Sequence, residues 1–226
     1  MKSNGTILTM SKFESDEQEL NNHETSNFNT PLVPDAFNVS DEDKIRVIEG
    51  LFREIMRTLG LDLEDDSLKD TAGRVAKMYV KEIFSGLNPV NKPSVTLFEN
   101  KYGYHQIMVA KNIQLQTTCE YHFLPVTGKA HIAYIPSAKV IGLSKINRLV
   151  RYYARRPQVQ ERLTNQLANE LKNTLGTEDI AVMIDAVHSC VAARGVEDQG
   201  SSTVTSYFSG KFNREETKNE FMAMIR

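Results

Sequence analysis

The hydrophobic period of this chain changes four times, and those changes fix the class of fold it can adopt. From Ser40 onward apolar residues recur at helical intervals. Ser40 is an N-cap with Asp41, Glu42 and Asp43 in the first turn; Ile45, Ile48, Phe52, Ile55 and Leu59 then share a face, and Gly60 stops the run. A second helix fits residues 70–85, with Val75, Met78, Tyr79 and Ile83 apolar and Gly86 after it. Asn88-Pro89 and Lys92-Pro93 mark a connection. The period then becomes that of strands in SVTLFEN, HQIMVA, NIQLQTT and GKAHIAYIP. Helical spacing returns from Ser144 to Arg155, with Ile146, Leu149, Val150 and Tyr153 inward. It continues in a helix opened by Pro157, along Val159, Leu163, Leu167, Leu171 and Leu175 to Gly176. DIAVMIDAVHSCV and TVTSYFSGKF read as two more strands and 214–225 as a last helix. Strands that come as neighbours and helices that come in blocks give an α+β chain with a mainly antiparallel sheet.

Several classes of function are excluded early. No apolar run approaches the roughly 20 residues of a membrane span, and MKSNGTILTMSKFESDEQEL lacks the apolar centre of a signal peptide, so a cytoplasmic protein without membrane partners is expected. A net charge of −2 carries no global pull toward nucleic acid. Residues 1–43 hold nine acidic side chains against two lysines and few large apolar residues. The expectation is a mobile acidic arm over residues 1–40 with no core of its own.

The chain has only two cysteines, Cys119 and Cys190, and each stands beside a histidine. In a reducing compartment such a pair points to metal or catalysis rather than to a disulfide. In TTCEYHFLP, Cys119 and His122 are three apart, a spacing at which two ligands from one turn reach one ion. In AVHSCV, His188 and Cys190 are two apart on an expected strand and emerge on one face. Cys119, His122 and Cys190 would give Zn2+ two thiolates and an imidazole and leave the fourth tetrahedral position for water, the catalytic pattern. His188 would stand beside the metal without ligating it.

A second constellation is cationic. Seven basic residues (Lys139, Lys145, Arg148, Arg151, Arg155, Arg156, Arg162) lie between 139 and 162 with one acid, Glu161. Lys145, Arg148, Arg151 and Arg155 fall near one helical face. A helix start carrying Ser144 and Lys145 beside Arg148 suits a polyphosphate, through amide dipoles and cationic hydrogen bonds. Glu161 can accept two hydrogen bonds from adjacent donors, such as the N1–H and exocyclic amine edge of guanine.

CEYH, GKAHIAYIP, VIGLSKINR, RRPQVQERLT, DAVHSCVAARG and SSTVTS, in that order, resemble the zinc-dependent GTP cyclohydrolase I family. DTAGRVAKMYVKEIFSGL resembles that family's helical N-terminal region. The likeness runs from about residue 41 to the C-terminus and leaves only the acidic arm outside. It implies the tunnelling fold (T-fold), with a helical region over 41–92 and a catalytic domain over 93–226. It also implies a toroidal homodecamer with active sites at subunit boundaries. The implied reaction converts GTP and water to formate and 7,8-dihydroneopterin triphosphate, the entry to folate or pterin synthesis. By resemblance the zinc ligands are Cys119, His122 and Cys190, and Glu161 with Gln160 holds guanine. Ser144, Lys145, Arg148 and Arg194 meet ribose and triphosphate, Arg74 is given by a neighbouring subunit, and His188 moves protons. Ser144 is also implied to assist proton movement at the ribose.

The chain departs from the family at one position. Where the family reads Cys-Glu-His-His, this chain has Cys119-Glu120-Tyr121-His122. The ligating histidine is kept, but the first of the pair, which assists catalysis in the family, is a phenol with a pKa near 10, a poor proton shuttle at neutral pH. The alternative reading is therefore a member of the fold that binds GTP with impaired turnover. Other enzymes of the fold, a nitrile reductase or a pterin aldolase, fit the ligand trio and the basic run less well.

Overall fold

In the computed structural model, residues 29–226 are described; most of the expected acidic arm, residues 1–28, lies outside the described residues. Helix α1 (Asp41–Thr58) starts where its capping chemistry requires, with the Asp43 amide donating to the Ser40 hydroxyl at 3.1 Å. Helix α2 (Thr71–Met78) packs against it through Met56, Ala72 and Ala76. The helix expected over 70–85 changes pitch after Met78, widening into a π-helical turn over Tyr79–Ile83. Lys81 on that turn donates to Asp41 and Glu42, tying it to the acidic start of α1.

Strands β1 (Leu97–Glu99) and β4 (Lys139–Ile141) form a small antiparallel pair. The main sheet has the order β5-β2-β3-β6-β7. It comprises β2 (Met108–Cys119), β3 (Pro125–Tyr134), β5 (Pro157–Gln158), β6 (Ile180–His188) and β7 (Thr203–Phe208). The two strands expected at HQIMVA and NIQLQTT are one: β2 continues through a bulge between Ala110 and Ile113, where Asn112 takes a left-handed conformation. All pairings are antiparallel except β2 with β5, where Thr118 faces Pro157 and Cys119 faces Gln158.

That parallel pairing corrects the expected helix start at Pro157. Pro157 and Gln158 are held extended beside Cys119, and helix α4 runs from Gln160 to Leu175, ending at Gly176 in the left-handed region. Helix α3 (Leu143–Ala154) follows β4. Both helices lie on one face of the sheet, where Leu115, Ile132, Val182 and Ile184 join Ile146, Leu149, Leu163 and Leu167 in a single core. The alternate strand residues face the other way, and Ala133 and Ala181 meet Phe212 and Phe221, the latter on α6 (Glu215–Ile225).

Gly86 was expected only as a helix stop, and the fold gives it a tighter task. Its amide donates to the Arg155 carbonyl at 2.9 Å, and its own carbonyl accepts from Arg156 Nε at 2.8 Å. A Cβ there would stand 2.0 Å from the Tyr152 carbonyl oxygen and 2.9 Å from that of Arg155. Backbone cannot yield as a side chain tip can. Gly86→Ala is expected to destabilise the chain by about 1–3 kcal/mol, as overpacking does, read as a lowered denaturant midpoint. An unchanged midpoint would mean that the connection shifts freely off α3.

Candidate metal centre and active site

Cys119 ends β2, and the loop to β3 closes behind it. The Cys119 amide donates to the Leu124 carbonyl at 2.8 Å, and the Phe123 amide returns to the Cys119 carbonyl at 2.9 Å, with Phe123 in a left-handed conformation. His122 Nδ1 lies 3.8 Å from Cys119 Sγ. Cys190 does not share a strand with His188, as the sequence had indicated. β6 ends at His188, and Ser189–Ala192 (α5) form one helical turn that carries Cys190 toward Cys119. The ligand atoms of Cys119, His122 and Cys190 all lie within 4.8 Å of one another.

The donor set fits a metal ion. With zinc bonds of about 2.3 Å to sulfur and 2.0–2.1 Å to nitrogen, tetrahedral ligand atoms stand about 3.5–3.8 Å apart. The trio is near that spacing, with Cys119 buried and His122 exposed, so one side of the group opens outward. Burial pushes the Cys190 thiol up and the adjacent Cys119 adds to this, while Arg194 pulls it down.

The first turn of α4 reaches the same place. Gln160 is buried, and its amide nitrogen donates to the carbonyls of Thr203 at 2.8 Å and Ile184 at 3.2 Å. Its oxygen therefore faces His188, whose Nε2 lies 2.8 Å away and must be the donor. This network assigns the tautomer: Nε2 carries the fixed proton, and Nδ1 is the atom left to take up or release a second one. Burial lowers the pKa of His188, and Glu161 on the exposed side of the turn opposes that shift.

Tyr121 stands half-exposed in the metal loop between Glu120 and His122. Glu120 itself is paired with Arg162, and this pairing was not legible in the sequence, where Arg162 counted as one of seven surface cations. Arg156 leaves that count too: its guanidinium lies 4.6 Å from the ring centres of both Tyr152 and Tyr153.

The single chain thus gathers Cys119, His122, Cys190, Gln160, Glu161, His188 and Arg194 at one end of the sheet. It does not bring the α3 residues to them. Thr117, near Cys119, donates to the carbonyl of Arg156 just past the end of α3, whereas Tyr134, at the far end of β3, accepts from the amide of Ile141 just before α3 begins, at 3.3 Å. Ser144 therefore lies about 15 Å up the helix from its last residue. Arg74 is exposed on α2 with Asp70 as its neighbour at 3.6 Å.

The sequence profile of GTP cyclohydrolase I matches residues 48–226. The chain belongs to that family. It is 56% identical over 204 residues to GTP cyclohydrolase 1 of Flavobacterium johnsoniae, covering 90% of this chain and 92% of that protein. Against GTP cyclohydrolase 1 of Aeromonas hydrophila subsp. hydrophila it is 51% identical, over 90% of this chain and 93% of that one. The Escherichia coli protein of the same name is 50% identical over 87% and 89%. The family has the α+β T-fold architecture described above.

Cys190→Ser should lower bound zinc from about one ion per chain to a small fraction, since two remaining ligands seldom hold zinc. The core does not contain the Cys190 side chain as a fully buried member, so the variant should keep its circular dichroism. Metal analysis after gel filtration checks this. Full zinc content would remove Cys190 from the ligand set.

Proposed function

We propose that the chain hydrolyses and rearranges GTP to 7,8-dihydroneopterin triphosphate and formate, with Zn2+ held by Cys119, His122 and Cys190. The observation that carries this reading is the convergence of the trio with His188, Gln160 and Glu161 at one sheet end, in a chain of the GTP cyclohydrolase I family. The activity makes it a hydrolase of folate or pterin synthesis.

C8 of guanine is a poor electrophile, so water must be activated and the ring protonated. Zinc at the trio would supply Lewis acidity, lowering the pKa of a bound water toward about 7. Glu161 accepts from the guanine N1–H and amine, and Gln160 adds its contact while holding His188 in one tautomer. His188 Nδ1 exchanges the proton that N7 needs as water adds to C8. Cys119, His122 and Cys190 would hold the ion whose Lewis acidity also suits hydrolysis of the opened formamide, and Ser144 assists proton movement as the ribose recloses. Ser144, Lys145 and Arg148 meet the triphosphate at the start of α3, where no side chain caps the free amides and no acid stands in the first turn. Arg194 joins them from the metal side.

The α3 start stands about 15 Å along the helix from the end nearest the trio, and we assign the triphosphate contacts to a neighbouring copy. A toroidal homodecamer supplies it, with Ser144, Lys145, Arg148 and Arg74 coming from neighbouring copies. The sheet supports this assembly as well. β7 is an edge, and β2 from Met108 to Thr117 has only β3 beside it among the described residues, so strands of adjacent copies can pair. Val47, Leu51 and Ile55 of α1 and Leu59 at its C-cap are exposed, and such a stripe gains from a second copy. No described helix is long and apolar enough to cross a membrane. The proposed partners are GTP and further copies of the chain, and the proposed location is the cytoplasm.

Incubation with GTP, followed by assays for formate and for fluorescent oxidised neopterin, tests the reaction directly; sedimentation tests the ring. Glu161→Gln turns one of two acceptors into a donor that opposes guanine. At about 1.5–3 kcal/mol for a hydrogen bond to a charged group, kcat/KM should fall about ten- to hundredfold. Unchanged kinetics would leave Glu161 a surface acid. No observation favours the impaired reading, and Tyr121 can be tested by restoring the family's residue. Tyr121→His is expected to raise kcat with little change in zinc content or KM. A lower kcat would show that the phenol is an adapted part of the site.

A further inference from the structure

We infer that Glu120 and Arg162 form a positioning pair that holds the metal loop in register with the guanine-recognition turn. The inference rests on the function proposed above. Arg162 is buried, with its side chain 8% exposed and that of Glu120 19%. The guanidinium meets the carboxylate as a fork: Nη1 donates to Oε2, and Nη2 donates to Oε1 at 3.2 Å. The Glu120 amide also donates to the Gln158 carbonyl at 3.1 Å.

The positions of the two residues give the pair its consequence. Glu120 lies between the ligands Cys119 and His122, in a loop that includes Tyr121. Arg162 follows Glu161 on α4 and is two residues from Gln160, the partner of His188. A bidentate fork restricts rotation as well as distance, which a point charge or an apolar contact does not. One ion pair therefore fixes the direction of His122 and Tyr121 relative to Glu161 and His188. A buried pair is a poor way to gain stability, because apolar residues of similar volume do as well or better. Holding two functional segments at a set angle is a task those apolar residues would not perform.

The test uses the full-length zinc-loaded protein and four variants: Glu120→Gln, Arg162→Met, Arg162→Lys, and the double Glu120→Gln/Arg162→Met. Zinc affinity is measured by competition with a chromophoric chelator, alongside melting temperature and the kcat and KM for GTP. Each single neutral variant should weaken zinc affinity about 10- to 100-fold, the usual effect of losing an outer partner of a ligand, and lower kcat. Each should also melt earlier, since one buried charge loses its mate. Arg162→Lys keeps the charge without the fork and should fall between wild type and Arg162→Met in zinc affinity.

The double variant decides between positioning and mere stability, and with Arg162→Lys it carries the test if a single variant fails to fold. With no unpaired charge left, its melting temperature should recover toward wild type, while zinc affinity and kcat stay low. Recovery of zinc affinity together with melting temperature would overturn the inference, as would wild-type zinc affinity in the folded single variants. Wild-type protein that makes no formate from GTP would defeat the proposed function instead. The chelator competition contains no GTP and reads the pair either way.

Discussion

The pairing of β3 with β6 runs unbroken from Val126 opposite His188 to Tyr134 opposite Ile180. It decides where the chemistry of this chain can occur. Side chains alternate along a strand, so a slip by one residue would turn Ile132, Val182 and Ile184 away from the helices and carry Ile180 and His188 to the wrong level. The core therefore enforces the register, and the register places the end of β6 beside the end of β2. From those two ends the chain needs one loop and one helical turn to bring Cys119, His122 and Cys190 within reach of a single ion. Apolar packing at the helix-covered face, in which Cys119 is buried and against which Cys190 rests, thus sets the geometry of the metal-binding candidates.

The same economy appears at the junction of β5 and α4. Only two residues of β5 pair with β2, yet they fix the entry of α4 next to the metal loop. Gln160, Glu161 and Arg162 then point three ways from one turn: to His188, to the exposed side, and to Glu120. Buried polar groups are costly unless partnered, and here the partners belong to three different segments, β6, β7 and the loop after β2. Gln160 alone ties α4 to β6, β7 and His188. Such a network penalises any displacement of one segment against the others.

How much of this could be read from sequence follows the range of the interactions. The α+β class, the left-handed close of α4 at Gly176 and the capped start at Ser40 rest on local periods and caps, and all of them are found in the structure. The metal trio was legible because its residue types are scarce: two cysteines, each beside a histidine, leave few ways to build a site. Non-local effects were hidden. Pro157 looks like a helix start until Thr118 and Cys119 hold it extended. Lys111 looks like a break between strands until β3 pairs on both sides of it. Glu120 and Arg162 stand 42 positions apart, and no pattern near either names the other.

The cationic run shows why composition alone misleads about a site. Of its seven members, Arg156 is spent between two tyrosine rings and on the Gly86 carbonyl, and Arg162 on Glu120. Arg148 and Arg151 remain exposed on α3, with Lys145 half-buried at its start. Lys145 and Arg148 stand in the first two turns of a helix whose start has no side-chain cap, while Arg151 lies in its last turn. Positive charge beside a helix start attracts an anion, and the start of α3 is separated by about 18 Å of helix from the end that neighbours the Cys119 strand. Under the shared site proposed above, the α3 start of one copy would approach the sheet end of another. The same association would also pair the strand edges that β7 and most of β2 leave open among the described residues.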